Sequence, residues 1–367
     1  MTKQLKSIFV IWIGMISLML FSGCGQAEKS LDDKVETTLK SLSRQEKLGQ
    51  MVMIGIQGKS ANNDSRFMIN QYHIGGIILF DRNLETLDQT QRLTADLQKE
   101  AGGKIPLFIA IDEEGGKVVR MPDVIEPPPA QLDIGRMGNP ELAYEWANKT
   151  AKSLKKAGIN LNFAPVADIG SLSSRHYSEN AVTVTEFVRK AAQGYKDAGI
   201  MYSLKHFPGI GKGETDTHTE TVVISAAKEE LQQEDIVPFA KMIVENAPND
   251  FQIMVSHAVY PELAGDKPAS MSAEIMDDLL RKQLGYYGVI ITDDLEMKAV
   301  AKDDNFKQLG VKAIKAGADI VLVCHEYEHE AAVYLGLLEA VEKGEITEER
   351  VDASVRRILK MKLRNRR

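Results

Sequence analysis

Gly288-Val289-Ile290-Ile291-Thr292-Asp293-Asp294-Leu295-Glu296-Met297 is a run of β-favouring, apolar residues that ends abruptly in two carboxylates. A run of this kind reads as a strand covered on both faces, the habit of parallel sheets flanked by helices. Its acidic residues then stand at the C-terminal end of the strand. Seven further short apolar runs lie at residues 51–56, 76–80, 107–111, 160–165, 201–206, 252–256 and 319–324. With 289–292 they make eight strand candidates.

Amphipathic stretches with recognisable ends separate them. Asn139 with Pro140 predicts a helix start and Gly158 its end, and Ser272 leads a second helix that stops near Gly285. Val351, Val355, Ile358 and Leu359 recur at helical spacing, and a basic tail is expected over residues 360–367. Eight βα units in roughly 320 residues predict a single (β/α)8 TIM-like barrel, with a doubly wound open sheet as the structural alternative. Active sites of such barrels sit at the C-terminal ends of the strands. Those ends carry Asp112, Asp168, Lys205 with His206, His257, Asp293 with Asp294, and Cys324 with His325.

The fifth strand candidate runs into Lys205-His206-Phe207-Pro208-Gly209-Ile210-Gly211-Lys212-Gly213-Glu214-Thr215-Asp216-Thr217-His218. Its glycines permit a tight backbone and close approach to a ligand, and Asp216 is near enough in sequence to orient and support the His218 imidazole. A solvated Gly-rich turn is the plain alternative.

The chain has 367 residues and a net charge of −7, which argues against a nucleic-acid binder. Lys3 and Lys6 precede an apolar stretch at 8–20 that is too short to span a membrane, and Ser22-Gly23-Cys24 closes it, as in an export signal. Leu20-Phe21-Ser22-Gly23-Cys24 resembles a bacterial lipobox, which implies a lipid on Cys24. The expected organisation is a signal peptide over 1–23, lipidated Cys24 with a polar tether over 24–38, and one barrel domain over 39–367. The domain would be exported and membrane-anchored on the extracytoplasmic face. With Cys24 acylated, Cys324 has no disulfide partner.

The loop at 205–218 resembles the Lys-His-Phe-Pro-Gly segment of bacterial β-N-acetylglucosaminidases in glycoside hydrolase family 3. Leu279-Leu280-Arg281-Lys282-Gln283 before Gly288–Asp294 is similar to the signature around that family's nucleophile. Gly75–Phe80 with Arg82-Asn83-Leu84, Asp112–Gly116 and Asn162–Asp168 extend the likeness, which covers about residues 40–363. The resemblance implies Asp293 as nucleophile and His218 as acid/base paired with Asp216. It also implies Asp112, Arg120, Arg175, Lys205 and His206 as residues that hold the N-acetylglucosaminyl unit. The family loop usually carries His and Asp where this chain has Ile210 and Lys212, and Gly213 with Glu214 differ as well.

The expected activity is an exo-acting retaining β-N-acetylglucosaminidase acting on cell-wall fragments, including muropeptides, with neither metal nor organic cofactor. Transfer to phosphate rather than water is the enzymatic alternative, and a non-catalytic sugar-binding surface lipoprotein is the alternative of another class. Asp294 is read as structural, and Glu113 and Glu114 as facing solvent or supporting the sugar-binding side chains. His325-Glu326-Tyr327-Glu328-His329 has inverted zinc-protease spacing but follows a strand without a defined helix. Gly209–Gly213 lacks the Ser or Thr of a phosphate loop after Lys212. A Schiff base on Lys205 explains the nearby Asp216, His218 and Asp293 less well than glycoside cleavage does.

Overall fold

The computed structural model describes residues 30–170, 174–213, 222–301 and 305–364. Cys24, Asp216 and His218 lie outside them, as do residues 1–29 as a whole.

All eight apolar runs form strands: β1 Val52–Ile54, β2 Gly76–Leu79, β3 Phe108–Ile111, β4 Leu161–Asn162, β5 Met201–Phe207, β6 Phe251–Val255, β7 Val289–Asp294 and β8 Ile320–Val323. Each pairs in parallel with the next, and β8 returns to β1 through Val52–Val321, Met53–Leu322 and Ile54–Val323. The sheet is therefore a closed barrel, and the open-sheet alternative is excluded. Closure explains the unalternated apolar runs, since one face of every strand meets the barrel interior and the other meets helices. Helix Pro140–Lys156 begins where its cap predicts, with the Asn139 side chain accepting the Glu141 N–H, and it packs on helix Ala181–Ala198. The predicted helix after Ser272 forms over Glu274–Gln283, wound wide enough that the Leu284 N–H reaches the Leu279 carbonyl.

The basic tail does not begin at residue 360. The last helix runs over Glu348–Arg364 because Met361 and Lys362 are buried. Lys362 donates to Gln50 Oε1 at 2.7 Å and to the Gly75 carbonyl at 2.6 Å. Immediately before β8, buried Asp319 binds Arg281 at 2.6 Å, Arg357 at 2.7 Å and Ser354 at 2.6 Å. These contacts gather at the N-terminal ends of β2 and β8, opposite the strand ends that carry the predicted site. Among the described residues no helix is long and apolar enough to cross a membrane.

Candidate active site

Two strands gain an extra residue just where the predicted site begins. Leu204 pairs with Ile253 and Phe207 with Val255, so Lys205 and His206 fall in a register shift between β5 and β6. Ile291 pairs with Ile320 and Asp294 with Leu322, a second shift that spans Thr292 and Asp293. Such irregularities re-aim side chains, and they recur next to active sites. Beyond β4 the chain rejoins the sheet, with Val166 bridging to Lys205 and the Ala167 N–H donating to the Lys205 carbonyl at 2.7 Å. That contact sets Asp168 beside His206.

The Lys205 ammonium lies 2.6 Å from Asp112 Oδ1 and 2.6 Å from Glu114 Oε1. Glu114 also takes Arg175 Nε on Oε2 and Nη2 on Oε1. Burial would push the Glu114 carboxyl up, but the charges of Arg175 and Lys205 outweigh it and hold the group well below the usual carboxylate range. For Lys205, burial opposes the charge and the Asp112 and Glu114 carboxylates overcome it, leaving its pKa raised. Arg175 Nη2 lies 3.2 Å from His206 Nε2, while His206 Nδ1 donates to Asp168 Oδ2 at 2.8 Å. An arginine always donates, so Nε2 accepts, and the proton on Nδ1 is the one Asp168 holds. Arg120 stands at 3.9 Å from Asp112 Oδ2 with its guanidinium over the Phe80 ring.

The predicted sugar-binding residues Asp112, Arg120, Arg175, Lys205 and His206 thus meet in one connected network. Glu113 and Glu114 do not face solvent. Buried Glu113 accepts the Arg120 N–H at 2.8 Å and the Met121 N–H at 3.2 Å. Burial pushes its carboxyl up to about 7. Asp168 and His257, noted in the sequence only as strand-end residues, have defined partners. The signal for Glu114 was its place two residues after Asp112, where buried Lys205 and partly buried Arg175 together call for a second carboxylate.

Asp293 ends the apolar part of β7 with Oδ1 accepting the Asp294 N–H at 2.9 Å. Burial would raise its carboxyl, but the nearby His206, His257 and Lys205 and that N–H keep it below the ordinary range. His257 Nε2 donates to the Asp294 carbonyl at 2.8 Å, and its Nδ1 is 2.6 Å from Ser270 Oγ. Burial lowers the His257 pKa, which favours the neutral ring with Ser270 donating to it.

Asp294, Glu296 and His325 could together reach a metal ion. The lone pairs of Glu296 are committed elsewhere. Glu296 accepts the N–H groups of Cys324, His325 and Glu326 at 2.9, 2.6 and 3.1 Å, and His329 Nδ1 at 2.6 Å. It therefore caps the helix Tyr327–Glu342, the helix that the reading of His325 and His329 had lacked. Arg82 Nη1 lies on His325 Nδ1 at 3.4 Å, which places the imidazole proton on Nε2, the atom facing Asp294 Oδ2. These residues join β7 to the end of β8, in keeping with a structural Asp294, whose carboxyl burial raises to about 7.

Residues 43–361 match the glycosyl hydrolase family 3 N-terminal domain. The chain belongs to glycosyl hydrolase family 3. Within that family it is 35% identical over 285 residues to a beta-hexosaminidase of Xylella fastidiosa (strain M23), covering 75% of this chain and 83% of the relative. It is 34% identical over 329 residues to beta-hexosaminidase A of Pseudoalteromonas piscicida, covering 80% of this chain but 54% of that protein. The solved family 3 beta-N-acetylglucosaminidase of Paenibacillus sp. str. FPU-7 superposes with a TM-score of 0.85 at 39% identity, covering 88% of this chain and 63% of that one. The chain thus spans about half of one of these relatives and under two thirds of another.

Proposed function

We propose that this family 3 domain is an exo-acting, retaining β-N-acetylglucosaminidase. The observation that carries the reading is the pairing of an ionised Asp293 at the open end of β7 with the cationic and carboxylate network of Lys205, Arg175, His206 and Asp112. The names of the beta-hexosaminidase relatives and of the Paenibacillus beta-N-acetylglucosaminidase support the choice of sugar.

In this mechanism the sugar hydroxyls bind Asp112, Arg120, Arg175, Lys205 and His206. Oδ1 of Asp293 is engaged by the Asp294 N–H, which leaves Oδ2 to attack the anomeric carbon. As that bond forms, the bond to the leaving oxygen breaks and the oxygen takes a proton from His218, with Asp216 supporting the imidazolium. Water then attacks the glycosyl-enzyme bond, gives its proton to His218 and releases the Asp293 carboxylate. Two inversions retain configuration. The lipobox-like segment ending in Cys24 supports an exported, membrane-anchored protein, and that location favours peptidoglycan fragments as substrates.

The test is hydrolysis of an aryl β-N-acetylglucosaminide by the full-length protein in detergent, beside Asp293→Asn and His218→Ala, with and without phosphate. Turnover that disappears in Asp293→Asn and does not require phosphate is the expected result. His218→Ala should lose far more activity on alkyl than on nitrophenyl glycosides, because an acidic leaving group needs no proton. Binding without turnover by folded wild type would overturn the reading.

A further inference from the structure

The chain departs from its family's usual loop at Ile210 and Lys212, and the structure gives the second of these a definite set of partners. Lys212 Nζ pairs with Glu230, with Glu234 Oε2 at 2.7 Å and with Asp235 Oδ2 at 3.2 Å. Glu230 and Glu234 are half-exposed, so their pairing with Lys212 is screened by water. Asp235 is fully buried, and among the described residues Lys212 is the cation in contact with its carboxylate. Burial pushes the Asp235 carboxyl up to about 6 and neither of its oxygens takes part in a hydrogen bond among the described residues, so its charged form depends on the Lys212 ammonium, and that dependence ties Lys212 to this site.

The segment that Lys212 belongs to is tightly held. The Gly209 carbonyl accepts the Tyr260 hydroxyl at 2.8 Å, and Gly209, at φ +126°, passes so close to Asp235 that a Cβ would stand 2.9 Å from the Asp235 Cβ. A Cβ on Gly211 would fall 2.0 Å from the Ile169 carbonyl oxygen. Between these two glycines the Ile210 N–H donates to Asp168 Oδ1 at 3.0 Å. The same oxygen accepts the His206 N–H at 3.1 Å, and Oδ2 holds His206 Nδ1.

We propose that Lys212 is a positioning residue: by pairing with buried Asp235 it seats the Gly209–Gly213 segment so that the Ile210 N–H fixes Asp168, and Asp168 in turn fixes the His206 ring against Arg175. The inference rests on the reading of His206 as a sugar-binding residue. Lys212 itself touches no substrate. Its effect reaches the sugar through one carboxylate and one imidazole.

The experiment is isothermal titration of N-acetylglucosamine into the full chain, comparing wild type, Lys212→Met, Lys212→Arg, His206→Gln and Lys212→Met/His206→Gln. Lys212→Met should weaken binding by roughly 10-fold, and Lys212→Arg should retain affinity within about 3-fold. In the His206→Gln background the Lys212→Met loss should shrink to about 2-fold or less, because the path it acts through is gone. An equal loss in both backgrounds, or wild-type affinity in Lys212→Met while His206→Gln is impaired, overturns the inference and leaves the sugar site standing. Wild-type affinity in His206→Gln overturns the sugar-site reading and the inference with it. If Lys212→Met does not fold, Lys212→Met/Asp235→Asn removes the unpaired charge, and it should show the same weakening and the same dependence on His206.

Discussion

Arg175 and Glu114 meet fork to fork, Nε on Oε2 and Nη2 on Oε1 at 2.8 Å each, with the carboxylate almost wholly out of water. Lys205 shares Oε1, so a single buried anion holds two of the cations assigned to the sugar. Replacing Glu114 by Gln keeps the shape and removes the charge. The two cations then repel each other and lose their common anchor. Glu114→Gln should lower stability by about 3 kcal/mol. It should also lower kcat/KM roughly 100-fold. Urea unfolding and aryl-glycoside kinetics measure the two effects, and near-normal kcat/KM would show that Asp112 alone suffices to place Lys205.

At the other end of the barrel Asp319 plays the corresponding structural part without touching the chemistry. Arg281, Arg357 and Ser354 all bind it, and it accepts the Ile290 N–H at 3.0 Å. Burial would raise its carboxyl, but the arginine charges hold it well below the usual range. Asp319→Ala strands buried guanidinium groups and should cost about 3–5 kcal/mol. At a temperature where the variant remains folded, its kcat/KM should match wild type. A kinetic loss without a stability loss would contradict this division between the two ends.

The barrel was legible because parallel strands buried on both faces leave uninterrupted apolar runs, and all eight were visible. What the runs could not show is where a strand admits an extra residue. The 289–292 run continues as strand to Asp294, and the shift there depends on pairing with β8, a tertiary fact with no local signature. The site residues at strand ends, Lys205, His206 and Asp293 on their strands and Asp112 just past β3, could be placed from the apolar runs. Arg120 and Arg175 lie on loops, so family likeness alone pointed to them, yet both join the network. For Glu113 and Glu114 the sequence left solvent-facing and supporting roles both open, because burial of a carboxylate is decided by the cations and N–H groups that reach it, and the structure shows both buried, Glu114 beneath Lys205 and Arg175. The expected basic tail failed for a related reason, since Lys362 finds acceptors on residues about 300 positions away in sequence.

Glu330 is buried with neither carboxylate oxygen in a hydrogen bond among the described residues. Burial, reinforced by the charges of Glu296 and Asp294, raises its pKa to about 9. The native state therefore binds a proton that the unfolded state has released, and wild-type stability is drawn down as pH rises from about 5 to 9, by at most about 1.4 kcal/mol per pH unit. Glu330→Gln removes this slope. Its stability relative to wild type should be near zero at pH 5 and grow steadily toward pH 9 in urea unfolding. A difference independent of pH would mean that Glu330 does not titrate across this range.

Lys362 should produce the opposite slope. Burial lowers its pKa to about 7, because its partners are the neutral Gln50 and Gly75 oxygens and the Phe108 ring rather than a carboxylate. Between pH 7 and about 10 the unfolded chain keeps the proton and the native one has lost it, so wild-type stability rises with pH there. Lys362→Met keeps the length and apolar stem. The Gly75 carbonyl still accepts the Phe108 N–H at 3.1 Å, which limits the loss of hydrogen bonding. The variant's stability relative to wild type should be most favourable below pH 7 and decline by up to about 1.4 kcal/mol per unit toward pH 10. From pH 7 to 9 the Glu330 and Lys362 slopes cancel in wild type, so a flat wild-type profile is itself expected. The two single variants should tilt it in opposite directions, and the double variant should be flat again; a tilt of the same sign in both would overturn the assignment of either group.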